Sequence, residues 1–346
     1  MNWERLLMVQ SGEAVESTDL FANAIWTGNG TSQVITNNIN LSERGGLVWI
    51  KSRSATNGDY VFQDTERGST KFFDLNTTAA EGTNSEFVKS FNTNGFTVGN
   101  NGGVGNQVNT FGQTYASWSF AAQSKFMSIV EWSGNATSGR TIAHGLGTTP
   151  AFIIVKKKNN TSDFTCYHHA IDQGAGGAAA PQNYSIAWND HTTYKVADSW
   201  LNNTAPDATN FTLNNNKINA SGSNYIGYFF AHHSNSGTQV NGKNIISCGY
   251  YVGNGSLTGP TIDCQFDSSP RFIMIKALDS AHPVYLIDSE RGYSGVGNDP
   301  LLKIETNTAE TSFNNLVDPT SSGFQLKDND NGVNQNLAQY IYVAIA

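Results

Sequence analysis

The sequence predicts an all-β protein built from three tandem β-sandwich repeats of jelly-roll or lectin-like type, preceded by a short N-terminal arm. The first observation is composition: the 346 residues include 40 Asn and 34 Gly, which tolerate the left-handed backbone of tight turns. The second is that only 14% of residues are charged and runs of helix-forming residues are sparse. The third is an apolar run that occurs three times, which indicates three repeats.

The repeated run is a short apolar segment that ends in lysine, at residues 47–51 (LVWIK), 152–156 (FIIVK) and 272–276 (FIMIK). The closing lysines are 105 and 120 residues apart. An upstream Gly-Asn turn, at Gly28, Gly134 and Gly253, gives spacings of 106 and 119 residues. Because two markers agree within one residue, we predict an arm over residues 1–21 and repeats over residues 22–122, 123–234 and 235–346.

Within each repeat, the first predicted strand carries an aromatic residue into the Gly-Asn turn. A strand of mixed polarity follows, and then the repeated run, which we place in the middle of a sheet because it is apolar on both faces and needs cover from neighbouring repeats or loops. Its closing residues, Lys51, Lys156 and Lys276, are expected to mark the exit of the strand into solvent. A strand containing Phe at its second position and a closing strand that begins with Tyr complete the repeat.

The N-terminal arm lies outside the repeat. Trp3, Leu6, Leu7 and Val15 fall on one side of a short helix, but Ser11-Gly12 interrupts that helix. We interpret the segment as an arm that packs on a neighbour, with a disordered tail as the alternative.

Several functional classes are disfavoured by charge and cysteine content. The net charge of −8 and the lack of basic clusters argue against nucleic-acid binding, which depends on neutralising phosphates. The three cysteines, Cys166, Cys248 and Cys264, have no CxxC spacing, so we expect buried or free thiols and no zinc site or disulfide framework. The N-terminus does not resemble a signal peptide, and no 18-residue apolar window predicts a membrane span.

The strongest candidate for a ligand site is an Asp-x-Glu-Arg-Gly element in the first and third repeats. Asp64 and Arg67 in the first repeat, with Asp288 and Arg291 in the third, offer charges that suit a sugar or a cation. The alternative is an ion pair from Arg67 to Asp64 or Glu66 that fixes a turn at Gly68. The middle repeat keeps an Asp at 172 and a Gly at 174 but lacks the Arg, and a glycosidase would need two carboxylates facing one cleft.

The sequence patterns that would indicate a metal site or a catalytic nucleophile are weaker than the Asp-x-Glu-Arg-Gly element. The pairs His168-His169 and His232-His233 cannot chelate one metal by themselves, because adjacent strand residues point to opposite faces; a composite site with one His from each pair is the alternative to ordinary histidines. Residues 328–332 (DNDNG) are similar to a calcium loop, but Gln339 replaces the Glu expected at its twelfth position, which favours a polar turn. No Gly-x-Ser-x-Gly motif occurs, so we predict no catalytic residue, no metal and no cofactor.

Aromatic residues in the long insertion of the middle repeat form a second candidate ligand site. If exposed, they would stack on sugar rings; the alternative is that they pack a loop. The residues are Tyr184, Trp188, Tyr194 and Trp200.

Taken in order, these motifs resemble a repeat found in structural proteins of marine tailed phages of cyanophage type. The motifs are the aromatic Gly-Asn turn, residues 144–150 (HGLGTTP), the apolar run with Lys, Asp-x-x-Arg-Gly, Asn-Thr, Gly-Phe and the closing Tyr strand, over residues 22–346. The resemblance implies a virion component, such as a tail fibre, an appendage or a head decoration. It says nothing about chemistry, and the departures in the middle repeat put a shared ligand site in doubt.

The function predicted from this resemblance is a non-enzymatic virion structural protein. Its expected partners are other virion proteins and copies of itself, with a homotrimer favoured, and neither nucleic acid nor membrane insertion is expected. The alternative is a carbohydrate-binding adhesin that recognises host-surface glycans. A glycan depolymerase ranks third.

Overall fold

The computed structural model describes residues 15–103, 105–172, 180–192, 195–214, 217–233, 239–293, 295 and 297–346. It is 41% strand and 4% helical, with several antiparallel sheets, so the predicted all-β sandwich class is confirmed. The helical segments among the described residues are α1 (Leu41–Arg44) and single 3₁₀ turns at Ser17–Asp19, Asn101–Gly103 and Pro181–Asn183.

Among the described residues, the strands follow one another in the same order in each repeat, except that the second repeat has eight strands and the other two have nine. The first repeat contains β1 (Phe21–Thr27), β2 (Gln33–Ile35), β3 (Gly46–Ser52), β4 (Val61–Asp64), β5 (Lys71–Asp74), β6 (Gly82–Thr83), β7 (Val88–Asn92), β8 (Gly95–Val98) and β9 (Thr114–Ala121). The second contains β10 (Met127–Ser133), β11 (Arg140–Ala143), β12 (Phe152–Lys157), β13 (Thr165–His168), β14 (Tyr184–Ala187), β15 (Val196–Ala197), β16 (Asn210–Leu213) and β17 (Asn224–Phe230). The third contains β18 (Ile246–Val252), β19 (Thr261–Asp263), β20 (Phe272–Ala277), β21 (Tyr285–Asp288), β22 (Asn298–Lys303), β23 (Thr311–Asn314), β24 (Val317–Pro319), β25 (Gly323–Leu326) and β26 (Gln339–Ile345).

Each repeat forms a six-stranded sheet with the same strand order: β1-β9-β3-β4-β5-β6, β10-β17-β12-β13-β14-β15 and β18-β26-β20-β21-β22-β23. A smaller sheet accompanies it, ordered β2-β8-β7, β11-β16 and β19-β25-β24. Aromatic pairs join the two sheets, with ring centroids 4.9–6.1 Å apart, at Trp26–Phe96, Phe211–Phe229 and Phe324–Tyr342. Each repeat is therefore a sandwich of unequal sheets.

The repeated apolar run lies in β3, β12 and β20, the third strand of each large sheet, as the sequence predicted. The third repeat shows how its two faces are used. Ile273 and Ile275 belong to the core of that sandwich, whereas Phe272 and Met274 belong to a core cluster that extends through all three repeats. Because alternate strand residues point to opposite faces, the large sheet covers its own sandwich with one face and neighbouring repeats with the other.

The expected exposure of the closing lysines is wrong. Lys51, Lys156 and Lys276 are each 0% exposed, and the Nζ of each donates to a carbonyl in the loop that follows: Gly58 at 2.5 Å, Ser162, and His282 at 2.5 Å. Burial lowers the pKa of each to about 8, because desolvation penalises the ammonium ion. The loop that follows each strand folds back over the end of the strand. It covers the lysine, which stays buried in the sandwich.

A buried asparagine closes the Gly-Asn turn in every repeat. In the first, the Oδ1 of Asn109 accepts from the backbone N–H of Asn29 at 3.0 Å, and its Nδ2 donates to the side chain of Asn29 and to the carbonyl of Thr31. Asn219 and Asn334 make the same contacts in the other repeats. A Cβ added at Gly28, Gly134 or Gly253 would lie 2.1–2.2 Å from a carbonyl oxygen, which explains the glycine of each turn.

The described part of the N-terminal arm packs on the third repeat. Val15 contacts the core, and Lys243 pairs with Glu16 at 2.5 Å. Arg271 donates to the carbonyls of Ser17, Phe21 and Ala346. Residues 1–14, which include Trp3, Leu6 and Leu7, lie outside the described residues.

Candidate functional site at the repeat boundaries

Three equivalent positions join each repeat to the next. Asp64, His168 and Asp288 end β4, β13 and β21 and occupy the same register, opposite the first residue of the apolar run. The Oδ2 of Asp64 accepts from Tyr228 Oη of the second repeat at 2.7 Å. His168 Nε2 donates to the carbonyl of Tyr342 in the third repeat at 3.0 Å.

The third contact closes the cycle, because Asp288 Oδ2 of the third repeat accepts from Trp118 Nε1 of the first at 2.9 Å. Each repeat thus reaches the closing strand of the next, and the third reaches the first. Phe120 lies within 6 Å of both Phe230 and Phe272, with centroid distances of 5.7 and 5.9 Å. The repeats therefore surround a shared aromatic core, as a compact three-lobed body and not as a rod.

The sequence-predicted charges of the first and third repeats form buried ion pairs. Arg67 Nε lies 2.6 Å from Asp64 Oδ2, and both side chains are 0% exposed. Arg291 Nε lies 2.5 Å from Asp288 Oδ2, again with both side chains 0% exposed. Burial alone would lower the pKa of each guanidinium, but the adjacent Asp outweighs it and the pKa is raised.

These pairs correct the expectation of an accessible charged ligand site. The carboxylate of Asp64 bonds to Arg67, and that of Asp288 bonds to Arg291. Each carboxylate also accepts a hydrogen bond from an aromatic side chain of the next repeat. A sugar or cation cannot reach side chains that are 0% exposed. The ion-pair alternative is what the structure contains, and it joins repeats as well as fixing a turn.

Glu81 and Glu310 extend this linkage, and the sequence interpretation missed both. Glu310 pairs with Arg291 at 3.1 Å and with Arg53 of the first repeat at 2.8 Å. Glu81 lies 3.6 Å from Arg67 and 3.9 Å from Lys158 of the second repeat. The available signal was an Ala-Glu pair that follows Asn-Thr by one to three residues in both repeats.

Histidines replace the ion pair at the boundary between the second and third repeats. Register places His168, and not Asp172, at the position of Asp64 and Asp288; Asp172 pairs instead with Lys195 at 3.0 Å. Next to it, His169 and His232 have ring centroids 5.0 Å apart. His169 Nε2 donates to the carbonyl of Cys248 at 2.8 Å, and His232 Nδ1 accepts from the N–H of Cys248 at 3.1 Å.

These imidazoles are held neutral. Burial lowers the pKa of His168, His169 and His233, and it lowers that of His232 to about 4. His233 Nδ1 accepts from the N–H of Ile245 at 2.8 Å while its Nε2 donates to the carbonyl of Lys125 at 2.6 Å. The composite pair foreseen from the sequence does come together, but no group of three or more metal-ligating side chains occurs among the described residues.

A cleft of about 340 Å³ opens beside these histidines. Its second-repeat wall includes His169 and His232, and its third-repeat wall includes Tyr250, Asp263, Gln265 and Tyr342. Gly249 occupies the position taken by Ala24 and Val130 in the other repeats, where the equivalent strands β1, β10 and β18 pair with the closing strands. The ring of Tyr342 packs against this glycine, because a Cβ added there would lie 2.5 Å from Tyr342 Oη.

The predicted aromatic site of the middle repeat is not exposed as expected. Trp188 and Trp200 are 2% and 1% exposed. The ring of Trp188 packs 5.0 Å from Phe152, and Trp200 Nε1 donates to the carbonyl of Tyr184 at 2.9 Å. Tyr184 is half-buried with Lys195 over its ring, and Tyr194 lies outside the described residues. The tryptophans fill the core under the insertion, so the expectation of sugar stacking on them is corrected.

The remaining sequence candidates have structural roles. Asp330 Oδ1 accepts from the N–H of Gly332 at 2.8 Å and from Tyr285 Oη at 3.0 Å, as expected for a polar turn. Cys166, Cys248 and Cys264 are buried free thiols, as predicted. In the described part of the chain, no helix has the length and apolar character needed to span a membrane.

Comparison with known proteins identifies the family of the chain. No curated protein and no solved structure matches the chain. One family model matches residues 16–346, a range that includes all three sandwiches and the boundaries between them. The chain therefore belongs to the family described as a domain of unknown function, DUF7483.

Proposed function

We propose that the chain is a non-enzymatic structural component of a tailed-phage virion, such as a tail fibre, an appendage or a head decoration. The observation that supports this role best is the cyclic linkage of three repeats by Asp64, His168 and Asp288. Two of these links are hydrogen bonds to a buried carboxylate, and a hydrogen bond to a charged group contributes about 1.5–3 kcal/mol, so the links together favour a single relative orientation of the sandwiches. A fixed orientation of rigid sandwiches suits an element that transmits force or keeps other components apart.

The use of charged side chains supports the same role. Asp64 and Asp288 are bonded to arginines and to the next repeat, and Lys51 donates to a loop carbonyl of its own repeat. These groups are committed to holding the chain together. An acid–base catalyst must instead reach a substrate proton within hydrogen-bonding distance.

The homotrimer expected from the sequence remains a prediction. One chain already places three equivalent sandwiches around a shared core, so three chains are not required to cover these surfaces. Native mass spectrometry decides the point: a trimer has three times the 37.4 kDa mass of one chain, and a monomer has that mass itself.

The virion proposal is tested by quantitative mass spectrometry of gradient-purified particles of the phage that encodes the chain. We expect its peptides in the particle band, at a fixed copy number that survives a high-salt wash. The lysate of infected cells serves as the control for expression. Abundant chain in the lysate with none in the particles would contradict the proposal.

A further inference from the structure

We infer that the cleft between the second and third repeats is a binding site for an uncharged polyhydroxylated ligand, a saccharide unit. This goes beyond the structural role proposed above and does not depend on it. The cleft volume of about 340 Å³ lies at the lower end of the range of about 300–1,000 Å³ typical of small-molecule sites, which matches one or two sugar residues. Sites of this kind form preferentially at boundaries between structural units.

The charges in the cleft select the ligand class. Among the described residues that line it, Asp263 is the only charged side chain. His169 and His232 are neutral at pH 7, and burial raises the pKa of the Cys264 thiol to about 12, so neither imidazole nor thiolate charge is present. A phosphate, sulfate or carboxylate ligand would face a carboxylate with no basic partner, which disfavours anions.

The polar groups match sugar hydroxyls. Asp263 Oδ1 accepts from the N–H of Gln265 at 2.9 Å, so this carboxylate is held at the rim of the cleft with its second oxygen as an acceptor. The Gln265 amide supplies both donors and an acceptor, and Tyr250 supplies a phenol. A hydroxyl group both donates and accepts, and vicinal hydroxyls can therefore bond to a carboxylate and an amide together.

An aromatic surface completes the site. Tyr250 is 44% exposed, unlike Trp188 and Trp200, and it lies on the wall of the cleft. An amphipathic ring of this kind can cover the apolar face of a sugar while its hydroxyl stays hydrated. The equivalent outward positions in the other repeats are Ile25 and Glu131, so the combination is specific to the third repeat.

The test is a glycan array at pH 7, followed by saturation-transfer NMR and titration calorimetry with the free saccharides that score on the array. Tyr250→Ala and Asp263→Ala should each weaken binding at least tenfold. The matched controls are Ile25→Ala and Thr36→Ala at the equivalent exposed positions of the first repeat, which should leave binding unchanged. Circular dichroism checks that each variant folds.

Two results would overturn the inference. One is an array that stays silent together with no saturation transfer from the wild-type chain. The other is saccharide binding that survives both Tyr250→Ala and Asp263→Ala, which would place the sugar elsewhere. Binding of a polyamine such as spermidine to the cleft, without any saccharide binding, would also refute the assigned ligand class.

Discussion

Two of the three repeat boundaries are built on buried charge, and the third is built on neutral imidazoles. At the first-to-second and third-to-first boundaries, Asp64 and Asp288 each combine an arginine of their own repeat with an aromatic donor of the next. At the second-to-third boundary, His168 occupies the same register and donates to a backbone carbonyl. The same fold therefore closes its cycle with two different kinds of polar contact.

The difference has consequences for stability and for access. Removing one partner of a buried ion pair is strongly destabilising, because the remaining charge is neither paired nor hydrated. A neutral hydrogen bond contributes only about 0.5–1.5 kcal/mol to stability. The histidine boundary is also where the cleft of about 340 Å³ opens. The two charged boundaries therefore act mainly to hold neighbouring repeats together, whereas the neutral boundary contains a cleft of the size of a small ligand.

The largest expected effect comes from truncating the boundary carboxylates. Asp64→Ala or Asp288→Ala removes the nearest carboxylate from an arginine that is 0% exposed and leaves it only the more distant Glu81 or Glu310, so each should cost about 3–5 kcal/mol in the free energy of unfolding measured by urea titration. His168→Ala should cost less, about 1–3 kcal/mol, because only two neutral hydrogen bonds, to the carbonyl of Tyr342 and from the N–H of Ala170, and some packing are lost.

A double variant serves as the control for this prediction. Asp64→Leu with Arg67→Met removes both charges together, and it should be more stable than Asp64→Ala because no buried arginine is left without Asp64. Equal losses for Asp64→Ala and His168→Ala would contradict the distinction between charged and neutral boundaries.

A smaller and uniform effect is expected inside the repeats. Asn109→Ala, Asn219→Ala and Asn334→Ala each remove the same bonds to the Gly-Asn turn and leave buried backbone groups unpaired. Each should cost about 2 kcal/mol in urea unfolding. Because the bonds to the turn are the same and each asparagine makes only one further contact of its own, the three losses should agree within about 1 kcal/mol. A wider spread would show that the repeats differ internally as well as at their boundaries.

The smallest effect is a selective response of the histidine boundary to acid. Burial holds the pKa values of His168, His169, His232 and His233 below their ordinary value near 6.5. The unfolded chain therefore binds more protons than the folded chain below that pH. The stability contributed by neutral imidazole is complete above about pH 6.5 and is lost as the pH falls toward the folded pKa, about 4 for His232.

Hydrogen exchange measures this response residue by residue. Between pH 7 and pH 5, after correction for intrinsic rates, the amides of Ile245 and Cys248 should lose about tenfold in protection, because the histidines become protonated when the boundary opens locally and this favours the opened form. The amides of Glu81 and Glu310, which bond across the other two boundaries, should change by less than about twofold. His232→Asn keeps an acceptor that does not titrate, and it should reduce the response at Cys248. Equal loss at all three boundaries would contradict the account.

The sequence predicted the fold class and the central strand of each sheet because both rest on patterns that repeat. Apolar residues on both faces of residues 47–51 need cover on both faces, and β3 has it. The burial of Lys51 was not predicted, because its hydrogen-bond acceptor is a backbone carbonyl in the next loop. Every residue has such a carbonyl, so the sequence does not indicate which one accepts the bond. A lysine at the end of a strand is ordinarily solvated, so the sequence pattern favoured exposure of Lys51 over the burial that the structure shows.

The boundary contacts were only partly predictable. The pairing of Asp64 with Arg67 follows from their spacing, but its burial depends on a neighbouring repeat that only the three-dimensional arrangement brings near. In the middle repeat, sequence alignment favoured Asp172, whereas strand register selects His168. The asparagine of each turn was detectable: Asn109, Asn219 and Asn334 each precede the closing tyrosine by six residues, a spacing hidden among 40 asparagines.

Small-angle X-ray scattering tests most directly the central claim that the three repeats close on one another. A compact body of 346 residues should have a radius of gyration of about 20 Å. Three sandwiches of about 110 residues in a row, each with a radius of about 13 Å, would give a value of about 28 Å or more and an elongated distance distribution. A monomeric sample near 20 Å agrees with cyclic closure through Asp64, His168 and Asp288, and an elongated monomer would contradict it.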